Sequence, residues 1–146
     1  MRETCPLPAV AGFGRLQRYA VPAGVVGLIT PWNFPIAVPS WKIFPALVAG
    51  NTIIWKPSPE TPAISAAFVQ VFEEAGLPPG VFNLLLASGA EVAKALVSHP
   101  GVRVLSFTGS TTTGRALAEA GVDDDPVDRE VRMACERIVH GVVKQL

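Results

Sequence analysis

Hydrophobic and polar positions follow a repeating order along this chain: a short apolar run, a loop rich in Gly, Pro, Ser or Asn, then a longer amphipathic segment. The apolar runs predict four strands, at residues 24–30, 52–56, 81–86 and 102–108. These runs are nearly continuous in apolar residues, which is typical of strands buried on both faces. The order of strand, loop and helix predicts an α/β fold in which helices cover both faces of a parallel sheet.

The amphipathic segments carry apolar residues at helical spacing and predict four helices, at residues 40–48, 63–75, 91–98 and 112–120. Gly76, followed by two prolines, is a typical end for the second helix. Pro45 lies inside the first helix and predicts that this helix is bent or shortened, because proline has no N–H to donate.

The chain divides into three segments. Residues 1–20 form an N-terminal arm that is rich in Pro and Gly and predicts one exposed strand near its end. Residues 21–121 contain the repeating pattern and form one domain. Residues 122–146 are expected to form a helical tail, whose apolar positions recur at helical spacing: Val127, Val131, Ala134, Ile138 and Val142.

Composition excludes several classes of function. Twelve Lys plus Arg balance twelve Asp plus Glu, so the chain has no basic field to bind nucleic acid or an anionic membrane surface. No apolar run approaches the roughly 18 residues that a membrane span requires. Cys5 and Cys135 show no metal-ligand spacing, and we expect free thiols, no metal site and a cytoplasmic location.

The residues with chemical potential lie in the segments that directly follow the strands, at residues 31–35, 57–62, 87–90 and 109–111. The carboxyl ends of parallel strands share one edge of a sheet, where ligands generally bind. These loops are therefore expected to converge. For any single loop, ordinary turn chemistry explains a Gly, Pro and Ser content equally well.

Four residues at the strand ends and in the loops suggest specific contacts. Gly109 and Ser110 precede a helix, whose free N–H groups and positive dipole end suit a pyrophosphate, although Ser110 could be an ordinary helix cap. Lys56 ends a strand and could donate to a hydroxyl or a phosphate, or extend into solvent as a surface lysine. Asn33 lies in a proline-bracketed turn, where its amide could serve a ligand or only the turn.

Five motifs in order resemble the aldehyde dehydrogenase superfamily over about residues 15–121. They are Gly-Leu-Ile-Thr-Pro-Trp-Asn-Phe-Pro at 27–35, Pro-Ala-Leu-Val-Ala-Gly-Asn-Thr at 45–52, Trp-Lys-Pro-Ser at 55–58, Gly-Leu-Pro-Pro-Gly-Val-Phe-Asn at 76–83 and Ser-Phe-Thr-Gly-Ser-Thr at 106–111. The resemblance implies a Rossmann-like sheet that binds NAD or NADP.

The resemblance also implies a role for each matching residue. Asn33 corresponds to a donor of the oxyanion hole, which stabilises the aldehyde oxygen during the reaction. Lys56 corresponds to the lysine that binds the adenosine ribose, and Trp32 to a residue beside the nicotinamide. Gly109 and Ser110 correspond to the residues that cap the pyrophosphate. The remaining cofactor contacts that the resemblance implies are Thr30, Ser58 and Gly89.

Two departures from the family pattern concern the cofactor. Family members that prefer NAD commonly carry Glu three residues after the lysine, whereas this chain has Pro59 there and Glu60 one place later. The choice between NAD and NADP is therefore open. Of the glycine-bearing turn after the third strand, only Gly89 matches.

The third departure concerns catalysis. The family's Glu-Leu-Gly-Gly segment, which holds the general base, and its Gly-Gln-x-Cys nucleophile are absent from these 146 residues, and Cys135 lacks the Gly-Gln context. The chain is therefore interpreted as the NAD(P)-binding portion of an aldehyde dehydrogenase that is inactive alone and meets an aldehyde only if a catalytic domain is supplied. The alternatives are a nucleotide-binding or interaction module without catalysis, or one piece of a split enzyme. Self-association is also expected, because a parallel sheet leaves unpaired edges.

Overall fold

The computed structural model describes residues 21–87 and 90–120, which form four strands and four helices in alternation. The strands are β1 (Val25–Ile29), β2 (Thr52–Lys56), β3 (Phe82–Leu84) and β4 (Val102–Phe107). The helices are α1 (Ala37–Val48), α2 (Pro62–Glu74), α3 (Ala90–Ser98) and α4 (Thr111–Ala120).

The four strands form one parallel sheet in the order β3-β2-β1-β4. The chain runs outward from β1 through β2 to β3 and then crosses back to place β4 on the other side of β1. Helices α1 and α2 pack on one face, and α3 and α4 pack on the opposite face. This confirms the predicted α/β, Rossmann-like fold and locates the reversal of strand order between β1 and β4.

Successive residues of β1 contribute to two separate hydrophobic cores, because side chains of a strand alternate between the two faces of a sheet. Val26 and Leu28 belong to the core beneath α1 and α2, together with Trp55 and Phe82. Ile29 belongs to the core beneath α3 and α4. Burial on both faces explains why the sequence of β1 is apolar without interruption.

Gly27 lies in the middle of β1 on the face that α3 covers. A Cβ at this position would lie 2.9 Å from Leu105 Cδ1, 3.2 Å from Val102 Cγ1 and 3.3 Å from Leu96 Cδ2. The missing side chain therefore allows α3 and β4 to pack closely against the central strand.

Asn51 joins the approach to β1 with the turn between α1 and β2. Its Oδ1 accepts the backbone N–H groups of Ala23 at 2.7 Å and Gly24 at 3.1 Å, and its Nδ2 donates to the carbonyl oxygen of Ala46 at 3.0 Å. The side chain is buried. This amide therefore holds together two chain segments that are distant in sequence, the approach to β1 and the end of α1.

Two elements differ from their predicted bounds by more than one residue. Helix α1 begins at Ala37 rather than at residue 40, and it continues through Pro45 to Val48, so the proline does not shorten it. Strand β3 covers Phe82–Leu84 rather than residues 81–86, and within the described sheet it pairs only with β2. The predicted arm, residues 1–20, and the predicted tail, residues 122–146, lie outside the described residues.

Candidate functional site

The carboxyl ends of β2, β1 and β4 stop at the same level of the sheet. Ile29 is in register with Lys56 on one side and with Phe107 on the other. Beyond these pairs, the N–H of Thr30 donates to the carbonyl oxygen of Lys56 at 3.2 Å, and the N–H of Thr108 donates to that of Ile29 at 3.0 Å. Neighbouring strands lie about 4.8 Å apart, so the three loops leave the sheet side by side.

Thr30 is the first residue after β1, and only 3% of it is exposed. Its Oγ1 accepts a hydrogen bond from the indole Nε1 of Trp55 at 2.9 Å. The hydroxyl therefore satisfies a buried donor and connects the ends of β1 and β2. The cofactor contact that the resemblance implies for Thr30 stays a prediction.

The turn that follows β1 presents its side chains to solvent. Trp32 is 62% exposed, and Asn33 is also exposed. The turn leads into α1 through the N–H of Val38, which donates to the carbonyl oxygen of Phe34 at 3.2 Å. The Asn33 amide makes no hydrogen bond to another described residue, so it is available to a ligand.

Lys56 is the last residue of β2 and is 7% exposed. Its position in β2 alternates with that of Trp55, so its side chain leaves the sheet on the face of α3 and α4. Over residues 21–87 and 90–120, its ammonium has no hydrogen bond or ion pair. Burial lowers the pKa of Lys56 below the ordinary lysine value, because a low-dielectric surrounding disfavours the charged form.

A shallow cleft of about 180 Å³ lies next to Lys56, between the loops that follow β2 and β3. Its lining carries no charged side chain and consists of Pro57, Ser58, Pro59, Pro62, Leu86 and Ala87. Ser58 Oγ accepts the N–H of Glu60 at 3.3 Å, and the Glu60 side chain is exposed outside the lining. Gly89, predicted to contact the cofactor from the next loop, lies outside the described residues.

The loop after β4 ends in the capped N-terminus of α4. Ser110 Oγ accepts the N–H of Thr113 at 3.2 Å and lies 2.8 Å from Thr113 Oγ1, so Ser110 is a helix cap. A Cβ at Gly109 would lie 2.5 Å from Phe107 Cζ, so packing against this ring requires a glycine there. The first two N–H groups of α4 have no acceptor within the helix and carry the positive end of its dipole.

Sequence reasoning did not single out Lys42, which lies near the same edge. From α1, its Nζ donates to Ser106 Oγ at 2.7 Å and to the carbonyl oxygen of Phe107 at 3.5 Å. Lys42 is the only charged residue of α1, whose sequence is otherwise apolar except for one serine. A lone cation in an apolar helix was the signal that could have identified it.

The carboxyl edge thus combines the mostly buried Lys56 side chain, free helix N–H groups and an exposed amide with a cleft that lacks carboxylates. This donor set suits the phosphates and hydroxyls of a nucleotide. Within the described ranges, no group of His, Cys, Asp and Glu is placed to hold a metal ion. Among the helices of the same residues, none has the length and apolar character to cross a membrane.

The fold belongs to the class of open, Rossmann-like α/β proteins, whose ligands generally bind at the edge described above. Residues 7–131 match the model of the aldehyde dehydrogenase family. The chain therefore belongs to the aldehyde dehydrogenase family, as its motifs predicted.

Individual relatives show how much of the family's chain is represented. The alpha-ketoglutaric semialdehyde dehydrogenase of Bacillus subtilis is 50% identical over 102 residues, which cover 70% of this chain and 21% of that protein. An aldehyde dehydrogenase structure from Brucella melitensis biovar abortus matches with a TM-score of 0.75 and 40% identity, over 83% of this chain and 25% of that one. The structure of PnpE in complex with nicotinamide adenine dinucleotide matches with a TM-score of 0.71 and 46% identity, over 81% and 24%. The chain thus spans 21% to 25% of the length of these relatives.

Proposed function

We propose that this chain is the cofactor-binding portion of an NAD(P)-dependent aldehyde dehydrogenase, an oxidoreductase that acts on the aldehyde or oxo group of its donor. The observation that carries the proposal is that β2, β1 and β4 end at the same level of the sheet. Lys56, Asn33 and the start of α4 therefore lie at one edge. That edge includes the reversal of strand order, where nucleotides bind in open parallel sheets. PnpE, a relative, is in complex with NAD.

Each site residue that the sequence predicted has a role in this proposal. The free N–H groups of α4 and the hydroxyl of Ser110 hold the pyrophosphate, with Gly109 shaping the loop, and Lys56 donates to the adenosine ribose. Trp32 flanks the nicotinamide, which accepts a hydride from the substrate when the cofactor is bound. Thr30, Ser58 and Gly89 complete the cofactor contacts.

Asn33 is the residue of this chain that would contact the aldehyde. Its exposed amide donates to the substrate oxygen as negative charge develops there, and a preorganised donor of this kind contributes about 3 kcal/mol to transition-state stabilisation. The sequence contains neither Glu-Leu-Gly-Gly nor Gly-Gln-x-Cys, which would supply the base and the nucleophile. We therefore propose that the chain does not oxidise aldehydes alone. Its cysteine usage supports a cytoplasmic location.

A second candidate is one piece of a split enzyme, or an interaction module without catalysis. Helix α1 supports it, because three large apolar side chains are exposed on that helix: Trp41 at 73%, Phe44 at 52% and Val48 at 80%. Exposed apolar surface of this kind is typical of contacts with another polypeptide.

Calorimetric titration of the purified chain with NAD and with NADP tests the proposal, alongside an assay for aldehyde-dependent NAD(P)H formation. We expect nucleotide binding without NAD(P)H formation. Turnover by the chain alone would contradict the absence of catalysis, and no binding of either nucleotide at millimolar concentration would remove the cofactor-binding role. Turnover only after a second polypeptide is added would favour the split enzyme.

A further inference from the structure

We propose that Lys42 is a positioning residue, which holds the N-terminus of α4 at a fixed place relative to the turn that carries Asn33. The inference rests on the proposed function, because the two segments that Lys42 connects are those assigned to the pyrophosphate and to the aldehyde oxygen. Lys42 lies on α1, which begins at Ala37, shortly after that turn. It acts on the end of β4, and no contact with nucleotide or substrate is assigned to it.

The hydrogen bonds of Lys42 cross from α1 to β4. Its Nζ donates to Ser106 Oγ at 2.7 Å and to the carbonyl oxygen of Phe107 at 3.5 Å. Lys42 and Ser106 are both half-buried, so water competes less for these bonds than at the open surface. Within the described sheet, β4 pairs only with β1. Lys42 therefore adds a second restraint to the end of an edge strand.

Successive residues at the end of β4 carry this restraint from one face of the sheet to the other. Side chains of a strand alternate between faces, so Ser106 lies on the side of α1 while Phe107 belongs to the core beneath α3 and α4. The Phe107 ring lies against the start of α4: a Cβ at Gly109 would be 2.5 Å from its Cζ, and a Cβ at Gly114 would be 3.2 Å from its Cε1. The position of the Phe107 backbone therefore sets the position of the α4 N-terminus.

The chemistry of Lys42 favours positioning over simple stabilisation. Helix α1 is otherwise apolar except for one serine, and a methionine of similar length would pack there without the cost of desolvating an ammonium. An ammonium instead supplies several donors, which hold their acceptors at hydrogen-bond distance. We therefore expect loss of Lys42 to affect the geometry of the carboxyl edge more than the free energy of unfolding.

Calorimetric titration of the full chain and its variants with NAD tests the inference. Lys42→Met keeps the length of the side chain and removes the donor, and we expect it to weaken NAD binding about fivefold, the effect of one net hydrogen bond. Lys42→Arg keeps a charged donor and should retain most of the affinity. Lys94→Met removes an exposed lysine of α3 and is the matched control, expected to leave the affinity unchanged.

A double-mutant cycle with Ser106→Ala separates positioning from direct attraction between the ammonium and a phosphate. If Lys42 acts through β4, Ser106→Ala should weaken NAD binding by itself and should have little further effect in the Lys42→Met background. Ser106→Ala also keeps the test informative if Lys42→Met does not fold, which circular dichroism reveals.

Two results would overturn the inference and leave the proposed function intact. The first is unchanged NAD affinity in the folded variants, which together with a lower melting temperature would assign Lys42 a structural role only. The second is a loss of affinity confined to Lys42→Met, as direct charge attraction would produce. No NAD binding by the unmodified chain would overturn the proposed function and the inference together.

Discussion

At the scale of single residues, Lys56 at the end of β2 and Asn33 in the turn after β1 lie at the same edge of the sheet but differ in burial and in proposed partner. Because Asn33 is assigned to a substrate oxygen, we expect Asn33→Ala to leave NAD(P) affinity nearly unchanged, whereas Lys56→Ala should weaken it by about tenfold. Calorimetry on the two variants measures this. If both substitutions weaken binding equally, the division of roles between the two residues is wrong.

Lys56 also predicts a dependence of stability on pH. Since burial lowers its pKa below 10.5, the folded state disfavours the ammonium, and charged Lys56 destabilises the fold at neutral pH. As the pH rises from the lowered pKa to 10.5, the free energy of unfolding increases, because the unfolded chain binds more protons than the folded chain over that range. We therefore expect Lys56→Met to melt at a higher temperature than the unmodified chain at pH 7. The difference between the two melting temperatures should become smaller at alkaline pH. Thermal melts of both proteins from pH 7 to alkaline pH measure this difference. A difference that grows with pH would contradict a lowered pKa for Lys56.

The identity of most edge residues could be predicted from the sequence, but their local contacts could not. Lys56 ends a strand, Asn33 and Ser110 follow strands, and the topology then places all three at one edge. The bond from Trp55 to Thr30 depends on the pairing of β1 with β2. The requirement for glycine at position 109 likewise depends on the ring of Phe107, whose position only the folded chain defines.

At the scale of elements, the close packing of α3 and β4 on β1 depends on Gly27. A Cβ there would meet side chains on both neighbouring elements, so Gly27→Ala should lower the free energy of unfolding by about 1–3 kcal/mol, as overpacked cores do. Gly76→Ala is an informative comparison, because position 76 has no atom within 4 Å of a Cβ but has a φ of +84°. Denaturant unfolding gives both values. No loss of stability in Gly27→Ala would show that the packing relaxes without cost.

The order and type of the elements followed from the hydrophobic pattern, most clearly at β1 and β2, which are largely buried on both faces of the sheet. Boundaries were less predictable where tertiary contacts decide them. Helix α1 includes Pro45, although proline in a helix interior removes a backbone donor. The length of β3 is limited because, within the described sheet, this strand pairs only with β2.

At the scale of the whole molecule, exposed apolar surface predicts self-association. The described sheet ends in β3 and β4, and the outer face of α1 exposes Trp41, Phe44 and Val48. We expect the chain to self-associate and to be marginally stable. Deletion of residues 122–146 should lower its solubility, because the sequence of that segment predicts an apolar helical stripe that would cover part of the exposed surface. Light scattering and thermal melts of the two chains measure this. A monodisperse monomer whose melting is unaffected by the deletion would contradict the expectation.

The central claim is that the carboxyl edge of β2, β1 and β4 holds a dinucleotide, and amide chemical shifts report it residue by residue. In a titration of the isotopically labelled chain with NADP, we predict saturable shifts at Lys56, Gly109 and Ser110. The amides of Gly76 and Gly80, in turns that precede β3, should stay unchanged. Shifts confined to residues away from the carboxyl edge, or no shifts at millimolar NADP and NAD, would contradict the account.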